Sequence, residues 1–135
     1  MQSISTSIPE FSEIPKKIVV FGASHIGKTA ILRLVCEDYI TRTYKPTIGF
    51  QLHRLKHSVI WDIAGHPDYF PSEDLLSQIM QNTDVVIHMK KPSLNCCLYP
   101  HLKTLIQEEC PQASLYSIVN TEQDMRDILK KIGIL

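Results

Sequence analysis

Along the chain the apolar positions follow two alternating periods. "KKIVVFG", residues 16–22, is a short β-branched run that stops at a glycine, the mark of a buried strand in a parallel sheet. "TAILRLVCEDY", residues 29–39, then spaces its apolar residues at helical intervals, so a strand, a glycine turn and a helix follow in order. "GFQLHRL" and "SVIWDIAG" read as extended segments, the first alternating and the second continuously apolar, joined as a hairpin around Lys56 and His57. "SEDLLSQIMQN" predicts a helix capped by Ser72. "TDVVIHM" predicts another buried strand, "LYPHLKTLIQEEC" an amphipathic helix stopping before Pro111, "ASLYSIVN" a further strand, and "EQDMRDILKKIG" a closing helix ending at Gly133. Strands alternating with helices predict an α/β fold, a mostly parallel sheet with helices on both faces.

Length and composition bound what such a sheet can do. With 135 residues, 44% of them hydrophobic, the chain supports one core, which we place in residues 16–135 behind a polar N-terminal extension, residues 1–15. Its 14 basic and 14 acidic side chains balance, which gives no electrostatic case for nucleic acid or an anionic membrane. No apolar run approaches the roughly 18 residues of a membrane span, and the polar start lacks a signal peptide's regions. Gln2 and the ending "KKIGIL" write in neither myristoylation nor prenylation, so no lipid anchor is expected. Cys36, Cys96, Cys97 and Cys110 show neither Cys-x-x-Cys nor zinc-ligand spacing and read as reduced thiols of a cytoplasmic protein.

The turn after the first strand carries the chemistry. "GASHIGKT", residues 22–29, fits G-x-x-x-x-G-K-[ST] between a strand and a helix, which is the context this phosphate-binding pattern requires. Gly22, Ser24, His25, Ile26, Gly27, Lys28, Thr29 and Ala30 then form the cradle, with His25 at a variable position. The glycines let backbone N–H groups point inward, and the helix start adds its positive end. Lys28 reaches the β/γ-phosphates, and the Thr29 hydroxyl can bind magnesium.

"YKPTIGF", residues 44–50, and "WDIAG", residues 61–65, follow in order. With the phosphate loop they make the chain resemble a small GTPase of the Ras superfamily, over roughly residues 16–120 and nearest in its "PTIG" wording to the Rab and Arf branches. The resemblance implies a P-loop NTPase G-domain, GTP and GDP as ligands with Mg2+, and protein effectors or regulators at the switch regions. It implies that Thr47 binds the metal when the γ-phosphate is present, that Asp62 holds it through water, and that Gly65 gives its backbone N–H to the γ-phosphate. Asn120 would contact the base.

Departures from the family pattern limit what carries over. His66 stands where the family places a water-orienting glutamine; it is a candidate catalytic residue or a solvated turn residue, and slow hydrolysis is expected. Where the family has Asn-Lys-x-Asp the chain has Asn120-Thr121-Glu122-Gln123-Asp124, so a neutral carbonyl replaces a charged bidentate acceptor. Either Asp124 shifts into that role or the segment is a helix start with Thr121 as N-cap. The interval from Thr47 to Asp62 is short, and the residues beyond Gln123 are too few for a last strand, a Ser-Ala-Lys loop and a final helix. A shortened G-domain of about five strands with one terminal helix is therefore expected, truncated at its C-terminal end. The alternative is a degenerate GTPase-like interaction module whose partner binds regardless of nucleotide. A kinase on the same loop would need clamping arginines, and Arg33, Arg42, Arg54 and Arg126 are scattered.

Overall fold

On β1 (Lys17–Gly22), Ile18, Val19 and Val20 have no exposed surface, so both faces of this β-branched run are covered. The computed structural model describes residues 16–22, 27–36, 49–90 and 102–135. β1 is the centre of a five-stranded sheet ordered β2-β3-β1-β4-β5, with β2 at Phe50–Leu55, β3 at Ser58–Ile63, β4 at Val85–Lys90 and β5 at Ser114–Val119. β1 pairs in parallel with β3 and β4, and β4 with β5; β2 runs antiparallel to β3. Four helices complete the described residues: α1 (Lys28–Val35), α2 (Glu73–Met80), α3 (Leu102–Glu109) and α4 (Glu122–Lys131). The predicted α/β class, the five strands and the single terminal helix are all present. Helix α1 covers the first part of the predicted 29–39 segment; 37–39 lie outside the described residues, as does the extension 1–15.

Strand pleating sorts the core into two layers. Ile18 and Val20 face α1 and α4, where Leu32, Val35, Ile60, Met125 and Leu129 close the cluster. Val19 and Phe21 face α2 and α3, where they meet Ile63, Leu76, Met80, Leu102 and Ile106. Ser72 caps α2 as expected, its Oγ accepting the Leu75 N–H at 3.2 Å.

Helix α4 is built to stop where the chain must fold back on the core. Thr121 Oγ1 accepts the Asp124 N–H at 3.0 Å to start it. At its end Gly133 N–H reaches the Lys130 carbonyl (3.1 Å) and Ile134 N–H the Leu129 carbonyl (3.0 Å), the paired bonds of a Schellman motif. That motif needs a left-handed residue, and Gly133 supplies it at φ 87°. Ile134 is thereby returned to the core, 1% exposed.

The hairpin inverts one expectation. Alternation in β2 places Phe50 and Leu52 on one side, which apolarity would turn inward. Leu52 is instead 51% exposed, while His53 and Leu55 are buried. The two-residue turn at Lys56 and His57, with Lys56 at φ 55°, pairs Leu55 with Ser58 and His53 with Ile60. That parity puts the odd-numbered residues of β2 on the α1 side whatever their polarity.

Two leucines should therefore differ in urea unfolding. Leu129→Ala should cost about 3 kcal/mol, from a fully buried methyl cluster at the α4–sheet contact. Leu52→Ala should stay within about 0.5 kcal/mol of wild type. Equal losses would mean that α4 does not close this core.

Candidate functional site

Strands β3 and β4 extend the sheet in opposite directions from β1, which opens a crevice at the carboxyl end of β1. The chain leaves β1 at Gly22 and enters α1 through Gly27, whose φ of 81° is left-handed. A Cβ at Gly27 would meet nothing within 4 Å, so the dihedral and not crowding demands glycine there. No side chain caps the start of α1, and its first-turn N–H groups and positive end point into the crevice.

Four side chains converge at this point. The Lys28 ammonium pairs with the Asp62 carboxylate through Oδ1 and donates to the Ile63 carbonyl at 2.7 Å. The Thr29 hydroxyl donates to Asp62 Oδ2 at 2.6 Å, and His53 Nε2 lies 3.3 Å from the same oxygen. Asp62 has no exposed surface, His53 is 1% exposed and Lys28 5%. Burial pushes the Asp62 carboxyl up, but the His53 hydrogen bond, the Lys28 charge and the bonds from Lys28 and Thr29 together hold it below its ordinary 3.8.

The structure thus brings together Lys28, Thr29 and Asp62, three residues the sequence singled out, and adds His53, which spacing did not reveal. The signal was the hairpin: a two-residue turn at Lys56 and His57 fixes Gln51 opposite Asp62 and His53 opposite Ile60, hence His53 diagonal to Asp62 on one face. Gly22 ends β1 opposite Met89, Ala30 is exposed on α1, and Gly65 is half-buried just beyond β3. Asn120 sits past the end of β5, its N–H on the Lys90 carbonyl at 2.9 Å. Ser24, His25, Ile26 and Thr47 lie outside the described residues.

His66 is occupied locally. Its Nδ1 accepts the Asp68 N–H at 3.1 Å, opening the 3-10 turn Pro67–Tyr69, and its ring lies tilted by 41° to that of Tyr69, 5.3 Å between centroids. An accepting Nδ1 assigns the ring proton to Nε2, so the free nitrogen of this tautomer donates and cannot take a proton.

Of the two readings for residues 120–124, the structure shows the helix start. The Asp124 N–H is held by Thr121, and Asp124 Oδ2 accepts the Val119 N–H at 3.2 Å. Gln123 points along the helix surface, its Nε2 on Asp127 Oδ1 at 2.8 Å. The Asp124 carboxylate thus serves the end of β5, and its backbone N–H the start of α4.

The donor set fits a hard divalent cation, since the Thr29 hydroxyl and the Asp62 carboxylate offer converging oxygens. Among the described residues no group of three His, Cys, Asp or Glu side chains could hold a metal alone. A cation here would need oxygens from elsewhere, which a phosphate beside Lys28 supplies. No helix among the described residues is long and apolar enough to cross a membrane.

Comparison with known proteins bears on this geometry. A family model described as the Ras of Complex, Roc, domain of DAPkinase matches residues 17–124. The human Rho-related GTP-binding protein RhoE is 29% identical over 118 residues, covering 82% of this chain and 48% of that protein. The ADP-ribosylation factor-like protein 3 of Chlamydomonas reinhardtii is 34% identical over 79 residues, 50% of this chain and 44% of that one. Human Ras-related protein Rab-36 is 34% identical over 61 residues, 39% of this chain and 23% of that one. The chain spans about half the length of these relatives or less.

The Asp62 cluster sets a pH dependence. A carboxyl held below its ordinary value stabilises the fold above about pH 3.8, and that contribution disappears as pH falls through its lower folded value. Asp62→Asn should cost about 3 kcal/mol at neutral pH, because it leaves Lys28 without its buried partner. Urea unfolding from pH 7 down to pH 3 should show the gap to wild type constant and then narrowing below about pH 4. A gap that widens with acid would overturn the charge assignment.

Proposed function

The chain belongs to the Ras of Complex family of Ras-like GTPase domains, and from that membership we propose that it is a guanine-nucleotide-binding switch with magnesium-dependent binding and slow hydrolysis. The observation that carries this reading is the Thr29 hydroxyl 2.6 Å from the Asp62 carboxylate beside the Lys28 ammonium, at the uncapped start of α1. In this reading the N–H groups at the start of α1 and the Lys28 ammonium bind the phosphates. For that contact Lys28 exchanges Asp62 for phosphate oxygen, one anion for another. Thr29, and Asp62 through water, would hold magnesium, with Thr47 joining them in the triphosphate state, and the ion would supply charge neutralisation at the phosphates. Gly22, Ser24, His25, Ile26, Gly27 and Ala30 line the cradle, Gly65 offers its N–H to the γ-phosphate, and Asn120 meets the base. Protein effectors engage the segments around residues 44–50 and 65–69, where nucleotide state is felt. The Rho-related relative, which is named a GTP-binding protein, supports the nucleotide assignment.

One observation favours a second reading. The Asp124 carboxylate accepts the Val119 N–H and the Gln123 amide donates to Asp127, so both side chains are turned to their own segment rather than to a guanine edge. A chain that keeps the fold and lets the cycle lapse would serve as an interaction module, its partner bound whatever the nucleotide.

Identification of any co-purifying nucleotide, then titration of GDP, GTP and ATP analogues with and without magnesium, separates the two. The switch reading expects guanine nucleotides bound more tightly with magnesium, and Lys28→Ala weaker by roughly 3 kcal/mol. Preference for ATP, or no binding, would move the assignment to the interaction module. Hydrolysis gives an independent check: His66→Gln should raise single-turnover GTP hydrolysis on the order of tenfold, about 1.4 kcal/mol of barrier. A variant that binds GTP and turns over no faster would show that His66 is not what slows the cycle.

A further inference from the structure

Resting on the switch reading above, we propose that His53 is a positioning residue of the metal site, its imidazole Nε2–H fixing the orientation of the Asp62 carboxylate that faces Thr29. His53 lies on β2, a strand at the sheet edge whose neighbouring residues Leu52 and Arg54 are exposed. Its own side chain is fully enclosed, and its Nε2 lies 3.3 Å from Asp62 Oδ2. A histidine is an expensive way to fill an apolar site, since burying it without a polar partner costs free energy that an aliphatic side chain does not. Its place diagonal to Asp62, set by the pairing of His53 with Ile60, gives it that partner.

The need for such a donor comes from how Asp62 is shared. Lys28 holds Oδ1, while Thr29 and His53 hold Oδ2. In the switch reading Lys28 turns to phosphate, and Oδ1 loses its donor. The terminal torsion of an aspartate is broad, so a carboxylate with a single remaining donor can turn about it. His53, on a different element from Lys28 and Thr29, does not leave with the lysine. It therefore keeps the carboxylate aimed in both states, and a cation meets an oriented ligand. Outer partners of this kind alter metal affinity by about 10–100-fold when removed.

The test uses the full chain loaded with GDP, with Mn2+ as the probe cation and its free concentration read by electron paramagnetic resonance. His53→Leu removes the N–H; His53→Gln restores an N–H at similar reach. His53→Leu should weaken Mn2+ binding on the order of tenfold while GDP affinity in chelator changes less than about twofold, and His53→Gln should recover most of the loss. Equal Mn2+ affinity in all three proteins would overturn the proposal, as would a folded His53→Gln no better than His53→Leu, or a parallel loss of chelator-measured GDP affinity. If His53→Leu does not fold, nitrogen-15 spectra of the wild-type imidazole decide. A proton on Nε2 is required, and a ring protonated only at Nδ1 overturns the assignment. A wild type that binds no guanine nucleotide defeats the switch reading and this proposal together, whereas normal nucleotide and Mn2+ binding that ignores His53 defeats this proposal alone.

Discussion

A charged carboxylate with no exposed surface, Asp62 at the end of β3, is the constraint around which the rest is arranged. An isolated buried carboxylate would cost several kcal/mol and take up a proton instead, so the fold must bring it donors. They come from two elements besides its own strand: Lys28 and Thr29 from the start of α1, and His53 from β2. That requirement ties together features that are remote in sequence. The start of α1, the inward face of β2 and the end of β3 meet at this one carboxylate. A buried pair of this sort is weak ground for stability, because apolar residues of equal volume often do as well. It holds instead a cation and an anion together at the carboxyl end of β1.

The C-terminal part of the chain shows the opposite economy. Within residues 119–124 the side chains hold their own segment: Thr121 starts α4, Asp124 closes β5, and Gln123 and Glu122 pair with Asp127 and Arg126 one turn along the helix. The same segment starts the last described helix. Helix α4, with Met125, Ile128 and Leu129 inward and Ile134 folded under by the Schellman turn, covers the α1 side of the sheet.

Local physics made much of this legible beforehand. The Ile18–Val19–Val20 run could only be covered on both faces, and Ser72 and Thr121 announced helix starts through their hydroxyls. The glycine–lysine–threonine turn between a strand and a helix carried its chemistry in the residue types themselves. His66 and Asp124 were different. Each had two uses compatible with its position, and the neighbouring N–H that each accepts, from Asp68 for one and from Val119 for the other, follows from no spacing along the chain.

The sequence by itself determined the elements, their order and the phosphate-binding pattern, because those follow from periodicity, capping and backbone dihedrals, which are properties of short segments. Tertiary structure decided the faces. A two-residue turn set the parity of β2, exposed Leu52 and buried His53, against what apolarity along that strand alone would favour. It also decided partners: whether Lys28 meets Asp62, and which donors share a carboxylate, depends on distances between strands that no spacing along the chain encodes. Register is a two-valued choice with consequences for every residue of a strand, and it is made by contacts across the sheet.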